Sequence, residues 1–164
     1  MKYDRFEQVP VWRDGLTLAE RVFTVTARKQ FSFKGDLRSQ LQRAALSVSN
    51  NVAEGFERGT TQELLTFLYI ARGSAGEVRS MLCLLERLPE FGDLKSEISD
   101  LKSLAESISR QLRAWAGNLQ DSSITGQRYL NEKSRKLDEQ KKRTEAFLQR
   151  LKQTTASRTG DCEP

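Results

Sequence analysis

The chain has 164 residues, 37% hydrophobic and 30% charged, with a formal net charge of +5; that is enough for one domain with a buried core. No run reaches the ~18–20 apolar residues that a membrane span needs, and the N-terminal MKYDRFEQVPVW holds no signal peptide, so a soluble, cytoplasmic protein with no membrane partner is expected. The absence of histidine removes Ser-His and Cys-His nucleophiles, histidine metal sites and Glu-x-x-His di-metal bundles.

A first helix is predicted from near Val9, with Pro10 in its first turn, where a missing N–H costs little. Trp12, Leu16, Ala19, Phe23 and Thr26 follow at helical spacing and form its expected core face. KQFSFKGD breaks the pattern, and Asp36 is the expected N-cap of a second helix. Its seam reads Leu37, Leu41, Ala44, Val48, Asn51, Gly55. Thr60 with Glu63 three positions on reads as a capping box. The third helix then repeats Leu64, Leu68, Ala71, Ala75, Val78, Leu82, Leu85 without a fault. A neighbouring stripe, Phe67, Ile70, Ser74, Glu77, Met81, Leu84, Leu88, is nearly as apolar, so this helix should be covered on more than one side. Pro89 to Asp93 makes a turn before a fourth stripe, Leu94, Ile98, Leu101, Ala105, Ile108, Leu112, Trp115, Leu119.

Four helices on short connections predict an all-α, antiparallel up-down four-helix bundle over 1–118. Residues 119–164 read as a charged, partly helical C-terminal extension: a linker QDSSITGQ, a charged helix-forming stretch, and a disordered end. In that stretch Leu130, Leu137, Phe147, Leu148 and Leu151 are available to pack. The bundle holds 17 Lys+Arg against 15 Asp+Glu, net +2, and the extension 10 against 7, net +3. Cys83 lies in an apolar helix and Cys162 near the C-terminus, a pair that fits a reduced compartment better than a disulfide.

Polar residues interrupt the second and third stripes. Asn51 and Gly55 lie on the apolar seam, and Arg43, Ser47, Asn50, Glu54 and Arg58 form a row beside it, with Glu54 and Arg58 a favourable i, i+4 pair. Ser74 and Glu77 interrupt the third helix in the same way. Buried amides and carboxylates are costly unless hydrogen-bonded. One reading is a polar network that sets helix register, with Gly55 admitting a close backbone approach. The other is that Asn50, Asn51, Glu54 and Glu77 line a site or subunit contact. Under the first, Asn51→Leu or Glu54→Ala is expected to weaken assembly or thermal stability.

The stretch QLQRAALSVSNNVAEGFERGTTQELLTFLYIARGSAGEV closely resembles the signature of a family of small bacterial four-helix bundles. Its members include proteins encoded in intervening sequences of large-subunit ribosomal RNA genes, and the accessory variability determinant of diversity-generating retroelements belongs to the same structural group. The resemblance rests on Gln40, Leu41, Arg43, Ala44, Ala45, Ser47, Asn51, Ala53, Glu54 and Gly55, then on Phe67, Leu68, Ile70, Ala71, Gly73, Ser74 and Glu77. It covers about residues 5–118 and leaves the extension unmatched. It implies a ring-like homo-oligomer, commonly a pentamer, without enzymatic activity. It also implies nucleic acid, RNA above all, or a reverse transcriptase as partner.

The residues themselves leave three functions open. A scaffold binding RNA or DNA through a repeated basic surface would use Arg13, Arg21, Arg28, Lys29, Lys34, Arg38 and Arg43, all assigned to the first two helices, and would contact the backbone rather than read bases. An adaptor would dock a protein such as a reverse transcriptase. A carboxylate-metal nucleotide hydrolase would use Glu54-x-x-Glu57 and Glu97-x-x-Asp100, although their separation is long for that chemistry. No cofactor is expected.

Overall fold

Pro10 stands at the first position of helix α1 (Pro10–Thr26), which Val9 precedes in extended conformation. Helix α2 runs Gly35–Glu57, α3 Thr61–Arg87 and α4 Lys95–Gln120, with short 3-10 turns at Phe6–Gln8, Lys29–Phe31 and Pro89–Leu94. These elements come from a computed structural model that describes residues 3–32, 34–121, 140 and 143–149. By its internal packing the chain divides into two units, Met1–Arg128 and Tyr129–Pro164. In the second unit residues 143–149 are helical, with Phe147 and Leu148 exposed and the Thr144 hydroxyl donating to the Gln140 carbonyl. The linker, the disordered end and the packing roles of Leu130, Leu137 and Leu151 lie outside the described residues.

In the first unit α1 packs on α2 and α4, α2 on α3, and α3 on α4. Cross-helix pairs show that neighbours run in opposite directions. Asp14 meets Gln111 and Arg28 meets Glu97. Gly15 lies against Val48 and Thr26 against Gln42, while Gly55 lies against Phe67 and Ser47 against Ser74. Arg79 meets Glu106 and Glu86 meets Lys102. The all-α up-down bundle is therefore as the heptads predict.

The third stripe is fully buried from Leu64 to Leu85, and Ile98, Leu101, Ala105, Ile108 and Leu112 answer it from α4. At one end Phe31 and Phe91, each almost wholly buried, meet edge-to-face with centroids 4.9 Å apart. That pair ties the α1–α2 connection to the α3–α4 turn, in segments the periodicity reads only as breaks.

Two sequence expectations are corrected. The core face of α1 is Val11, Gly15, Leu18, Ala19, Val22, Val25 and Thr26. Trp12 is only half-buried, against Phe6, and Leu16 and Phe23 are 38% and 42% exposed. The helix carries two overlapping apolar stripes, and the one with small residues turns inward. A Cβ on Gly15 would sit 3.2 Å from Val48 Cγ1 and 3.3 Å from the Ser49 nitrogen, so α1 and α2 meet at van der Waals limits. Asp36 is not the cap of α2: Lys34 holds that position without a side-chain bond, and Asp36 falls in the first turn, where its carboxylate faces the positive end of the helix dipole. Thr60 does cap α3, its hydroxyl accepting from the Glu63 N–H at 3.2 Å and donating to the Glu63 carboxylate at 2.8 Å.

Gly55 admits a closer approach than Gly15, since a Cβ there would lie 2.6 Å from Phe67 Cβ, an atom with little room to move. Gly55→Ala should destabilise the fold by about 1–3 kcal/mol and lower the thermal midpoint by at least ~2 °C in a circular-dichroism melt. A raised midpoint, as the helix propensity of alanine alone would give, would contradict the close contact.

Candidate nucleic-acid interface

The interrupting polar residues bridge α2 and α3. The Asn51 side-chain amide donates to the Ser47 carbonyl at 2.7 Å and to the Ser47 hydroxyl at 2.8 Å. The Ser74 hydroxyl bonds that of Ser47 across the helices at 2.9 Å and the Ile70 carbonyl at 3.1 Å. Asn51, Ser47 and Ser74 thus form a satisfied chain at the rim of the core. The remaining signature residues lie further out. Glu54 and Arg58 pair at 2.8 Å with both half-exposed, and that bond raises the Arg58 pKa. Arg58 also reaches Glu63 at 3.7 Å and stands 5.3 Å over the Phe67 ring. Asn50 and Glu77 are exposed.

The seven cations predicted as contacts do not gather on one surface. Arg21 pairs with Asp100 at 3.6 Å, Arg28 with Glu97 at 3.3 Å and Lys34 with Glu90 at 3.1 Å. The Arg13 guanidinium donates to the Glu7 carbonyl at 2.7 Å. Lys29 lines an open hollow of about 440 Å³ with Arg28, Gln30, Asp93, Leu94 and Glu97, where acids balance bases. Arg38 lies four residues before Gln42, which reaches α1, and Arg43 four before Ser47, which reaches α3, so these two point to opposite sides of α2.

The cations of α3 and α4 behave differently. Arg79 with Glu106, and Lys102 with Glu86, mark the surface where the two helices adjoin. Arg72 lies seven residues before Arg79 and Arg87 eight after it. Lys95 lies seven before Lys102, Arg110 four after Glu106, and Arg113 seven after Glu106. At 3.6 residues per turn these spacings return each side chain to about the same face. Every cation of both helices is therefore on it. The other carboxylates of α3 and α4 point elsewhere: Glu63 toward Arg58, Glu97 and Asp100 toward α1, and Glu77 toward the α2 side one turn from Ser74.

Seven of the 17 cations of residues 1–118 and two of their 15 carboxylates thus share the α3–α4 face, net +5, which leaves 10 and 13, net −3, for the rest. Glu106 holds Arg79 at 3.5 Å and Arg110 at 3.3 Å, fixing both guanidinium groups. The hydrogen bond to Glu86 raises the Lys102 pKa, so its charge is secure at neutral pH. The heptad spacing of these cations is readable in the sequence; net charge summed over the whole bundle conceals it.

The four carboxylates considered for metal chemistry are dispersed. Glu54 and Glu57 are on α2, which packs between α1 and α3, while Glu97 and Asp100 face α1 from α4, each beside an arginine. Among the described residues no group of three or more His, Cys, Asp or Glu could hold a metal ion, and no helix is long and apolar enough to cross a membrane.

Residues 7–114 match the model of a family described as 23S rRNA-intervening sequence protein. The chain belongs to this family. The fold is also similar to the crystal structure of a protein of unknown function from the S23 ribosomal protein family of Bacteroides thetaiotaomicron. The two share 20% identity with a TM-score of 0.59, over 65% of this chain and 97% of that one. No curated protein matches. The intervening-sequence family match covers α1, α2 and α3 whole and α4 as far as residue 114, and so stops before the extension.

The polar bridge separates two residues that the sequence places in one polar row, Ser47 and Glu54. Ser47→Ala, which strips a partner from both Asn51 and Ser74, should cost about 1 kcal/mol in urea denaturation. Glu54→Ala should cost under ~0.5 kcal/mol, its ion pair being exposed. Equal losses would contradict this division.

Proposed function

We propose that the protein is a non-enzymatic, homo-oligomeric scaffold that binds nucleic acid, RNA foremost, by gripping phosphates with the α3–α4 face. The observation that carries this reading is the segregation of charge: a net +5 on one face of a bundle whose remaining surface is net negative. Such a face attracts polyanions and orients the molecule toward them, because the negative sides repel the same ligand. An RNA-related role agrees with the family's link to ribosomal RNA intervening sequences.

Assembly into a ring, a pentamer as the family resemblance implies, is part of the proposal. Helix α2 is flanked by two exposed apolar patches. Leu16, Phe23 and Leu46 lie on its α1 side, and Ile70 and Leu84 on its α3 side at 46% and 47% exposure. A head-to-tail ring needs two different patches on each subunit, and it covers both. It would also repeat the basic face around the axis, multiplying a small charge per chain.

Fluorescence anisotropy with a structured RNA across a salt series tests the function. Affinity should fall steeply with salt. Arg72→Gln with Arg113→Gln should weaken binding roughly tenfold and flatten the logarithmic salt slope by about 1–2. Arg21→Gln with Arg28→Gln should change affinity less than about twofold, since both side chains already face carboxylates on α4. Absence of binding at low salt would reject a nucleic-acid scaffold in favour of a protein-binding adaptor.

A further inference from the structure

The cations of the α3–α4 face stand in two rows, one per helix. Arg72 and Arg79 are about 10.5 Å apart along α3, and Lys95 to Arg113 spans about 27 Å along α4. Between the long side chains the floor is low. Gly76 stands between Arg72 and Arg79, Ser99 follows Lys95 by one turn, and both are exposed. A Cβ built on Gly76 meets nothing within 4 Å, so no helix packing requires glycine there, unlike at Gly15 and Gly55. Gly73 and Gly117 are equally open, and Gly76 is the one flanked by Arg72 and Arg79, where the missing side chain leaves room for a ligand backbone to approach between the two guanidinium groups.

The same face is poor in stacking surface. Surfaces for single strands pair a basic groove with aromatic rings on which successive bases stack. Among the described residues of α3 and α4 one large aromatic is exposed, Tyr69, which stands one turn before Arg72 at the edge of the face, and a single ring makes no run of stacking platforms. A double helix keeps its bases stacked inside and presents its phosphate backbone to a flat, cation-edged surface.

We infer that the ligand of this face is double-helical, its phosphate backbone lying along the floor at Gly76 and Ser99 between the arginine and lysine rows. The inference rests on the proposed function and specifies its substrate class. Phosphate chemistry is common to RNA and DNA stems, so both duplexes are bound in preference to a single strand.

Full-length protein is titrated by anisotropy against an RNA duplex of roughly 16 base pairs, the length spanned by a double-stranded RNA module, the matching DNA duplex, and an unstructured single-stranded RNA with as many nucleotides. The duplexes should bind at least tenfold tighter than the single strand. Gly76→Gln and Ser99→Gln, which raise the floor without removing charge, should each weaken duplex binding at least fivefold while circular-dichroism melts stay at or above wild type. Equal or tighter single-strand binding, or wild-type duplex affinity in both folded variants, would overturn the inference while leaving a nucleic-acid scaffold standing. Failure of all three probes to bind would remove the proposed function itself.

Discussion

How near α2 lies to its two neighbours is set by what Gly15 and Gly55 lack, and the orientation of α1 and α3 against it follows from those contacts. Gly15 lets α1 press on Val48 and Ser49, which rolls α1 so that Leu18, Val22 and Val25 enter the core and Leu16 and Phe23 leave it. Gly55 receives Phe67, and one helical span away Ser74 meets Ser47. With α3 held by those two points, its cations have one direction left, toward α4 and solvent.

Charge placement is the second consequence. In an antiparallel pair a heptad spacing on each helix brings two rows of side chains side by side. Arg72 and Arg79 on one helix and Lys95 and Lys102 on the other satisfy that spacing, and Arg113, eleven residues past Lys102, returns to the same arc. Of the acidic residues of the same helices, Glu86 and Glu106 stay among these cations, while Asp100, Glu97 and Glu63 lie on other arcs and neutralise Arg21, Arg28 and Arg58. A small net charge is thereby sorted into a basic face and an acidic remainder. The polar signature of α2 and α3 meets this arrangement at one point: the Asn51–Ser47–Ser74 chain bridges α2 to the helix that carries the first cationic row.

Much of the fold is legible in the residues. Pro10 at the first helical position, the Thr60–Glu63 cap and the unbroken third stripe each express a local rule, of spacing or of backbone hydrogen bonding, that tertiary contacts have no reason to overrule. The family follows from the long motif between Gln40 and Glu77. The first helix was less legible, because Trp12, Leu16 and Phe23 form as good a stripe as the one that is buried. Hydrophobicity alone favours the larger residues, while packing against α2 favours the smaller.

The candidate surface divides in the same manner. By itself the sequence determined the four helices, the capping of α3, the family and the positions of the cations along each helix, since these depend on local spacing. Only the tertiary structure decided which of those cations stay unopposed. Arg21, Arg28 and Lys34 look as available in the sequence as Arg72 and Arg113, but their partners lie 56–79 positions further along the chain. Coulomb attraction acts on distance through space, and the distances are set by helix packing.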